Sequence, residues 1–226
     1  MTKYKFVILV AWENETENSL SDADKQRLAD NNIEIVYTGI GKINATRVAT
    51  DLCVRHELEE KAKRKSGYSH KPAYHQVIST PPSPTELHIV NVGCAGSHTT
   101  DVRTLIKPTR FIQRDMDARQ FGYEQYHTPE EDEYLIRFSW RDNGILCATG
   151  DNTNGYSEVS ENIPAFDAVD MEAFAIADVC LQYDVMFTCY KWITDKAADD
   201  STIEELLENN KVLPWTEIID EILEWV

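Results

Sequence analysis

Residues 87–97 read LHIVNVGCAGS. Leu87 to Val92 is a nearly continuous apolar run, with branched side chains at Ile89, Val90 and Val92. Such a run, lacking clean alternation, predicts a strand covered on both faces. Gly93, Cys94, Ala95 and Gly96 then remove bulk at the strand exit, where a backbone has to approach a ligand closely.

The same pattern recurs outward from this stretch. Strands are expected at Tyr4–Ala11, Ile33–Thr38, Arg110–Arg114, Tyr134–Trp140, Ile145–Thr149 and Val185–Ile193. Helical patterns lie between and after them. One starts near Lys42, turns Val48, Leu52 and Leu58 inward, and ends in the basic run Lys61 to Lys65, which suits a helix C-terminus. A second spans Met171 to Tyr183, with Ala175, Val179 and Cys180 inward, and two more are expected near Thr202–Asn209 and Trp215–Trp225. Strands alternating with helices predict an α/β domain with a covered sheet.

Composition bounds the function. The chain has 226 residues, suited to one full-sized domain, and a formal charge of −17. That charge repels phosphate backbones and anionic lipid, so neither nucleic acid nor a membrane is an expected partner. No apolar run approaches the ~18 residues of a membrane span. Phe6 to Trp12 is too short for a signal peptide and runs into Glu13 and Glu15, so it reads as a buried first strand. The five cysteines, Cys53, Cys94, Cys147, Cys180 and Cys189, contain no CxxC pair. They predict reduced thiols in a cytoplasmic protein. Cys94 as a nucleophile has no well-placed histidine. His70, His75, His88 and His98 lack ligand spacing, so no metal and no cofactor are expected. Residues 66–86, with Pro72, Pro81, Pro82 and Pro84, read as a long loop insertion.

In open α/β sheets, ligands bind beyond the carboxyl ends of the strands. Those exits carry Trp12-Glu13-Asn14-Glu15, Gly39-Ile40-Gly41-Lys42, Gly93–Ser97, Gly150-Asp151-Asn152 and Thr194-Asp195-Lys196, and a helix opens at Asp170-Met171-Glu172. If the strands are mostly parallel, carboxylates and glycines gather at one rim. Turn chemistry alone explains any one of these segments, but explains the whole set less well. Gly39-Ile40-Gly41 is half of a dinucleotide fingerprint; without its third glycine it is weak support for a Rossmann cofactor site.

The strings AWENE (11–15), TGIGKINAT (38–46), NVGCAGS (91–97), RDMDARQFGY (114–123), ATGDN (148–152), VDMEAFAIADVC (169–180) and ITDKA (193–197) resemble, in order, the nucleoside phosphorylase/nucleosidase superfamily. The likeness is strongest to the 5′-methylthioadenosine/S-adenosylhomocysteine nucleosidases. It implies a single-domain three-layer α/β/α sandwich over residues 1–226, with a central mixed, largely parallel twisted sheet. It implies an N-ribosyl hydrolase that releases adenine from a 5′-substituted adenosine, using water and no cofactor, and acting as a homodimer.

The resemblance also assigns roles. Asp195 matches the general acid that protonates the purine at N7, which requires a carboxyl able to donate a proton near neutral pH. Glu15 matches the general base for water, with Glu13 and Glu17 as competitors. Glu172 matches the acceptor for the ribose hydroxyls, and Met171 the apolar contact beneath the sugar. Trp12, Cys94, Ala95, Gly96, Thr153 and Asp170 complete the expected substrate contacts. Phe121 and Tyr123 are implied to reach the neighbouring subunit's site; otherwise they are core aromatics. Carboxylates around an oxocarbenium-like sugar stabilise it electrostatically.

There are departures. Thr153 stands where the family stacks an aromatic on adenine, Trp12 replaces a smaller group, and Arg119 replaces a small residue. Arg119 is read as a salt-bridge partner ahead of a ligand for a carboxylate or phosphate. Two other functions stay open: a phosphate-dependent phosphorylase, with Arg47 the nearest clamp, and a catalytically silent purine-nucleoside binder.

Overall fold

The computed structural model describes residues 4–63, 87–129, 135–138, 144–152, 166–197 and 203–226. The whole of the expected 66–86 insertion, and Thr153, lie outside the described residues.

The elements run in this order: β1 (Lys5–Val10), α1 (Asn14–Glu17), α2 (Asp22–Asp30), β2 (Glu34–Tyr37), α3 (Lys42–Lys63), β3 (Leu87–Gly96), β4 (Leu105–Ile106) and β5 (Arg110–Gln113). A 3₁₀ turn at Arg119–Phe121 precedes β6 (Leu135–Arg137), β7 (Leu146–Thr149), β8 (Ala168–Asp170), α4 (Ala173–Gln182), β9 (Met186–Asp195), α5 (Ile203–Asn210) and α6 (Trp215–Leu223).

One mixed sheet of nine strands runs β2-β1-β3-β8-β7-β5-β6, with β9 beside β3 and β4 on β9. Period-two geometry divides β1 between two cores. Val7 and Leu9 join Ile89, Ala45, Ala49, Cys53, Ile176 and Cys180 under α3 and α4. Phe6, Ile8 and Val10 join Val90, Leu28, Trp215, Ile218 and Ile222 under α2 and α6. Helices therefore cover both faces, which gives the expected three layers. Ile8 and Leu9 are fully buried, and each such side chain contributes roughly 1.5–3 kcal/mol.

Two expectations are corrected. On α3 the inward residues are Ala45, Ala49 and Cys53, with Val48 and Leu52 half-buried, whereas Leu58 is 59% exposed. Small side chains bring α3 close to the sheet, so its inner stripe is alanine rather than leucine. The second correction concerns the rim. β2, β1, β3 and β9 run parallel to one another, as do β5, β7 and β8. The two sets meet antiparallel, at a single register pair, Gly96 with Val169. Carboxyl ends therefore approach each other from two directions and meet at a seam inside the sheet, not along one edge.

Candidate active site at the seam

From the first set, α1 turns inward directly after β1. Glu15 is 5% exposed, while its competitors Glu13 and Glu17 are exposed. The Glu15 carboxylate accepts the Cys94 N–H at 2.7 Å and the Trp12 N–H at 3.1 Å. Its main-chain carbonyl takes the Trp215 indole N–H at 2.9 Å and the Ser19 hydroxyl at 2.9 Å. Gly93 makes this approach possible: a Cβ there would lie 2.9 Å from Glu15 Oε1 and 3.4 Å from Lys191 Nζ. Gly96 does the same for Asp195, whose Oδ1 would lie 2.7 Å from such a Cβ.

Asp195 ends β9 and is partly exposed. Its carboxylate accepts the Ala197 N–H at 2.7 Å and the Thr194 hydroxyl at 3.0 Å. These are turn-capping contacts, and they fix the carboxylate at the strand exit. Cys94 lies between the acids, in the fields of Glu15, Asp195 and Lys191. Burial, then Glu15, pushes its thiol well above the usual range, so it is not a thiolate nucleophile. Ala95 is buried in the same strand end, and Trp12 sits exposed before α1.

From the second set, β8 points Asp170 back toward β3. Its carboxylate accepts the Thr149 hydroxyl at 2.6 Å and the Ala173 N–H at 2.8 Å, and pairs with Lys191 at 2.8 Å. Asp170 thus starts α4 and neutralises a buried cation. Glu172 occupies the cap position of α4, yet its side chain caps nothing there. Instead it accepts the Gly41 N–H at 2.8 Å. Met171, between them, is half-buried.

Lys191 was not foreseen from the sequence. It is 1% exposed and lies in the middle of β9, opposite Gly93. Burial works against its charge, but Asp170, Cys189 and Glu172 hold it well above the usual lysine range. Burial likewise disfavours the Asp170 carboxylate, and Lys191 outweighs it, so that group is held low. The usable signal was a lone lysine in an otherwise apolar stretch, FTCYKWIT (187–194).

Electrostatics separates the remaining acids. Burial raises Glu15, against the pull of Lys191 and the two amides. Burial, then the neighbouring Asp170 charge, pushes Glu172 up to about 8. Glu15 also raises Glu172, so the two carboxyl groups lie within electrostatic reach of each other.

The glycine turn before α3 is occupied by carboxylates. Gly39 and Gly41 have φ of 81° and 94°. Gly41 N–H bonds Glu172, and Lys42 N–H bonds Asp151 Oδ1 at 2.8 Å. The Lys42 ammonium pairs with Asp115 at 2.5 Å and Asp151 at 3.7 Å. These motif residues lock three loops together instead of cradling a phosphate. Arg47, the clamp considered for phosphorolysis, is exposed on α3 and bonds Asn44 at 3.1 Å.

Phe121 is 73% exposed, which excludes a core role, and Tyr123 is half-buried against His127. Arg119 pairs with Asp117 of its own segment at 2.5 Å. An open cavity of about 350 Å³ between α1, α2 and β2 is lined by Glu13, Glu17, Lys25 and Tyr37, and not by Glu15, Glu172 or Asp195.

No family model matches the chain. It is 25% identical over 222 residues to the 5′-methylthioadenosine/S-adenosylhomocysteine nucleosidase of Bacillus thuringiensis, covering 88% of this chain and 84% of that one. The crystal structure of the corresponding Helicobacter pylori nucleosidase, with butyl-thio-DADMe-Immucillin-A, matches with a TM-score of 0.71 at 19% identity, covering 99% of this chain and all (100%) of that one. The native structure of futalosine hydrolase of Helicobacter pylori matches with a TM-score of 0.68 at 18% identity, covering 97% of this chain and 98% of that one.

Proposed function

From this likeness to the nucleosidases in sequence and fold, we propose that the chain is an N-ribosyl hydrolase. Its substrate is a 5′-substituted adenosine of the methylthioadenosine or S-adenosylhomocysteine type, and its product is free adenine. The observation that carries the reading is the convergence on one strand exit. Glu15 and Asp195 both press on glycines of β3, and Glu172 interacts electrostatically with Glu15 across the seam.

In this reading Asp195 protonates the departing purine. Glu15, aimed by two amide N–H groups, takes a proton from the attacking water. Glu172 accepts the ribose hydroxyls, with Met171 beneath the sugar, and Trp12, Cys94, Ala95, Gly96 and Thr153 border the nucleoside. Asp170, expected among the substrate contacts, has its carboxylate fully buried on Lys191, and the pair supplies fixed charge beneath the site. Carboxylates arranged before reaction stabilise an oxocarbenium-like sugar at no further reorganisation cost.

Hydrolysis is favoured over phosphorolysis by one local fact: the amides of Gly41 and Lys42 already bond carboxylates. The proposal extends to a homodimer in the cytoplasm. Lys42–Asp115 fastens the start of α3 to the 114–121 segment. The apolar groups exposed from these two segments, Ile43 at 80% and Phe121 at 73%, form the contact, with Phe121 and Tyr123 reaching the partner's 5′ pocket.

The test is incubation with methylthioadenosine, S-adenosylhomocysteine, 5′-deoxyadenosine, adenosine and AMP, with and without phosphate, followed by chromatography for free base. Adenine release independent of phosphate is expected. Strict phosphate dependence sinks hydrolysis, and tight binding with no release over hours identifies a silent binder. Sedimentation of Phe121→Asp against the wild type tests the dimer.

A further inference from the structure

α5 ends in two consecutive asparagines, and each grips the residue before one of the two proposed proton-transfer acids. Asn209 Nδ2 donates to the Thr194 carbonyl at 2.8 Å, one residue before Asp195. Asn210 Nδ2 donates to the Asn14 carbonyl at 3.2 Å, one residue before Glu15. Their acceptor ends are occupied as well. Arg103 Nε donates to Asn209 Oδ1 at 2.9 Å, and the Cys94 thiol to Asn210 Oδ1 at 3.1 Å. The Asn209 main-chain carbonyl takes the Trp192 indole N–H at 2.8 Å.

The usual reason for asparagine at a helix end does not apply. Asparagine is favoured there because it tolerates left-handed φ, and neither residue has positive φ. Asn210 is also buried. A buried amide is costly unless its donors and acceptor are matched, so its partners account for its presence. Those partners belong to α1 and β3, and those of Asn209 to β9 and the Arg103 turn. Because the two residues are adjacent on one helix, the two gripped carbonyls are held at a fixed separation.

We propose that Asn209 and Asn210 form a two-point clamp that sets the spacing between the Glu15 and Asp195 carboxylates. They are positioning residues, and the proposal deepens the hydrolase reading and rests on it. Base and acid act on opposite ends of one bond: Glu15 on the water and Asp195 on the leaving purine. Their separation therefore enters the rate directly, and displacement near 1 Å costs on the order of 100-fold.

The test uses the full chain and reads structure and rate separately. Amide hydrogen exchange is followed by mass spectrometry in wild type, Asn209→Ala, Asn210→Ala and the surface control Lys211→Ala. Asn210→Ala is expected to speed exchange in residues 12–20 and spare 191–197, and Asn209→Ala the reverse. Each should lower kcat by about 10- to 100-fold with KM within about threefold. The control should change neither. Asn210→Leu, which preserves the volume but offers no donor, repeats the measurement if the alanine variant does not fold. Exchange that rises throughout the molecule, no local change, or a loss confined to KM overturns the clamp. If wild type releases no base, the hydrolase reading falls, while the exchange pattern still decides whether the clamp exists.

Discussion

The two parallel strand sets do different work. The set containing β1, β3 and β9 is deep: β3 and β9 each span 10 residues and lie almost wholly inside. It brings Glu15 and Asp195 to strand exits, where glycines let carboxylates press on backbone. The set containing β5, β7 and β8 is shallow in length alone, with 4, 4 and 3 residues, and its β7 and β8 are buried throughout. It delivers Asp170, Met171 and Glu172 through the start of a helix. In the proposed reading, the long strands position the two proton-transfer acids, while a helix start supplies the close cluster that would hold a sugar beside a compensating charge. The single register pair joining the sets makes each separately breakable.

The largest expected effect lies in the deep set. Asp195→Asn keeps shape but removes the proton donor, and kcat should fall about 10²- to 10⁴-fold with nucleoside affinity largely kept. Steady-state kinetics beside calorimetry checks this, and near-normal turnover would move the acid elsewhere.

Next is the link between the sets. Lys191→Met leaves the Asp170 carboxylate buried without its cation, which should cost about 3–5 kcal/mol in denaturant unfolding. Lys191→Met with Asp170→Asn should recover much of that loss. If the double variant is no better than the single, the pair is not what the position requires.

Gly93→Ala sharpens the comparison further. Its Cβ would meet Glu15 Oε1 at 2.9 Å. Overpacking of this kind costs about 1–3 kcal/mol, and activity should fall more than stability because Glu15 is what moves. A crystal structure with Glu15 undisturbed would contradict this.

The gentlest readout, spread over several pH units, is a slope from the shallow set. Glu172 is pushed from 4.5 up to about 8. Between those values the folded chain holds a proton that the unfolded chain has lost, so stability falls as pH rises through that window. Glu172→Gln should flatten that part of the profile in thermal melts taken from pH 4.5 to 8. Ribose hydroxyls donating to the ionised carboxylate should release a proton on binding, measurable in buffers of different ionisation enthalpy.

Much of this was legible in the sequence because burial writes long apolar runs. β1, β3, β9 and α4 were readable for that reason, and glycine beside acid marked the exits. What escaped was short or polar. β8 is three residues, too few for any period. α2 reads DADKQRLAD and buries only Asp24 and Leu28, so it shows no apolar stripe; its start rests on Ser21 capping Asp24 N–H. The antiparallel meeting of β3 and β8 rests on one register pair, which no local pattern encodes. Lys191 and Asn210 were missed because sequence reading assigns charge and amide to the surface, whereas here each is buried with partners distant in sequence.

The indole of Trp215 lies 1% exposed, with its N–H on the carbonyl of Glu15. A fluorophore that sensitive to local polarity, joined directly to α1 and the proposed base, should shift its emission when α1 moves or the site fills. Ligand occupancy ought therefore to be visible by eye of a spectrometer alone, label-free, through quenching or a colour change that Trp215→Phe abolishes.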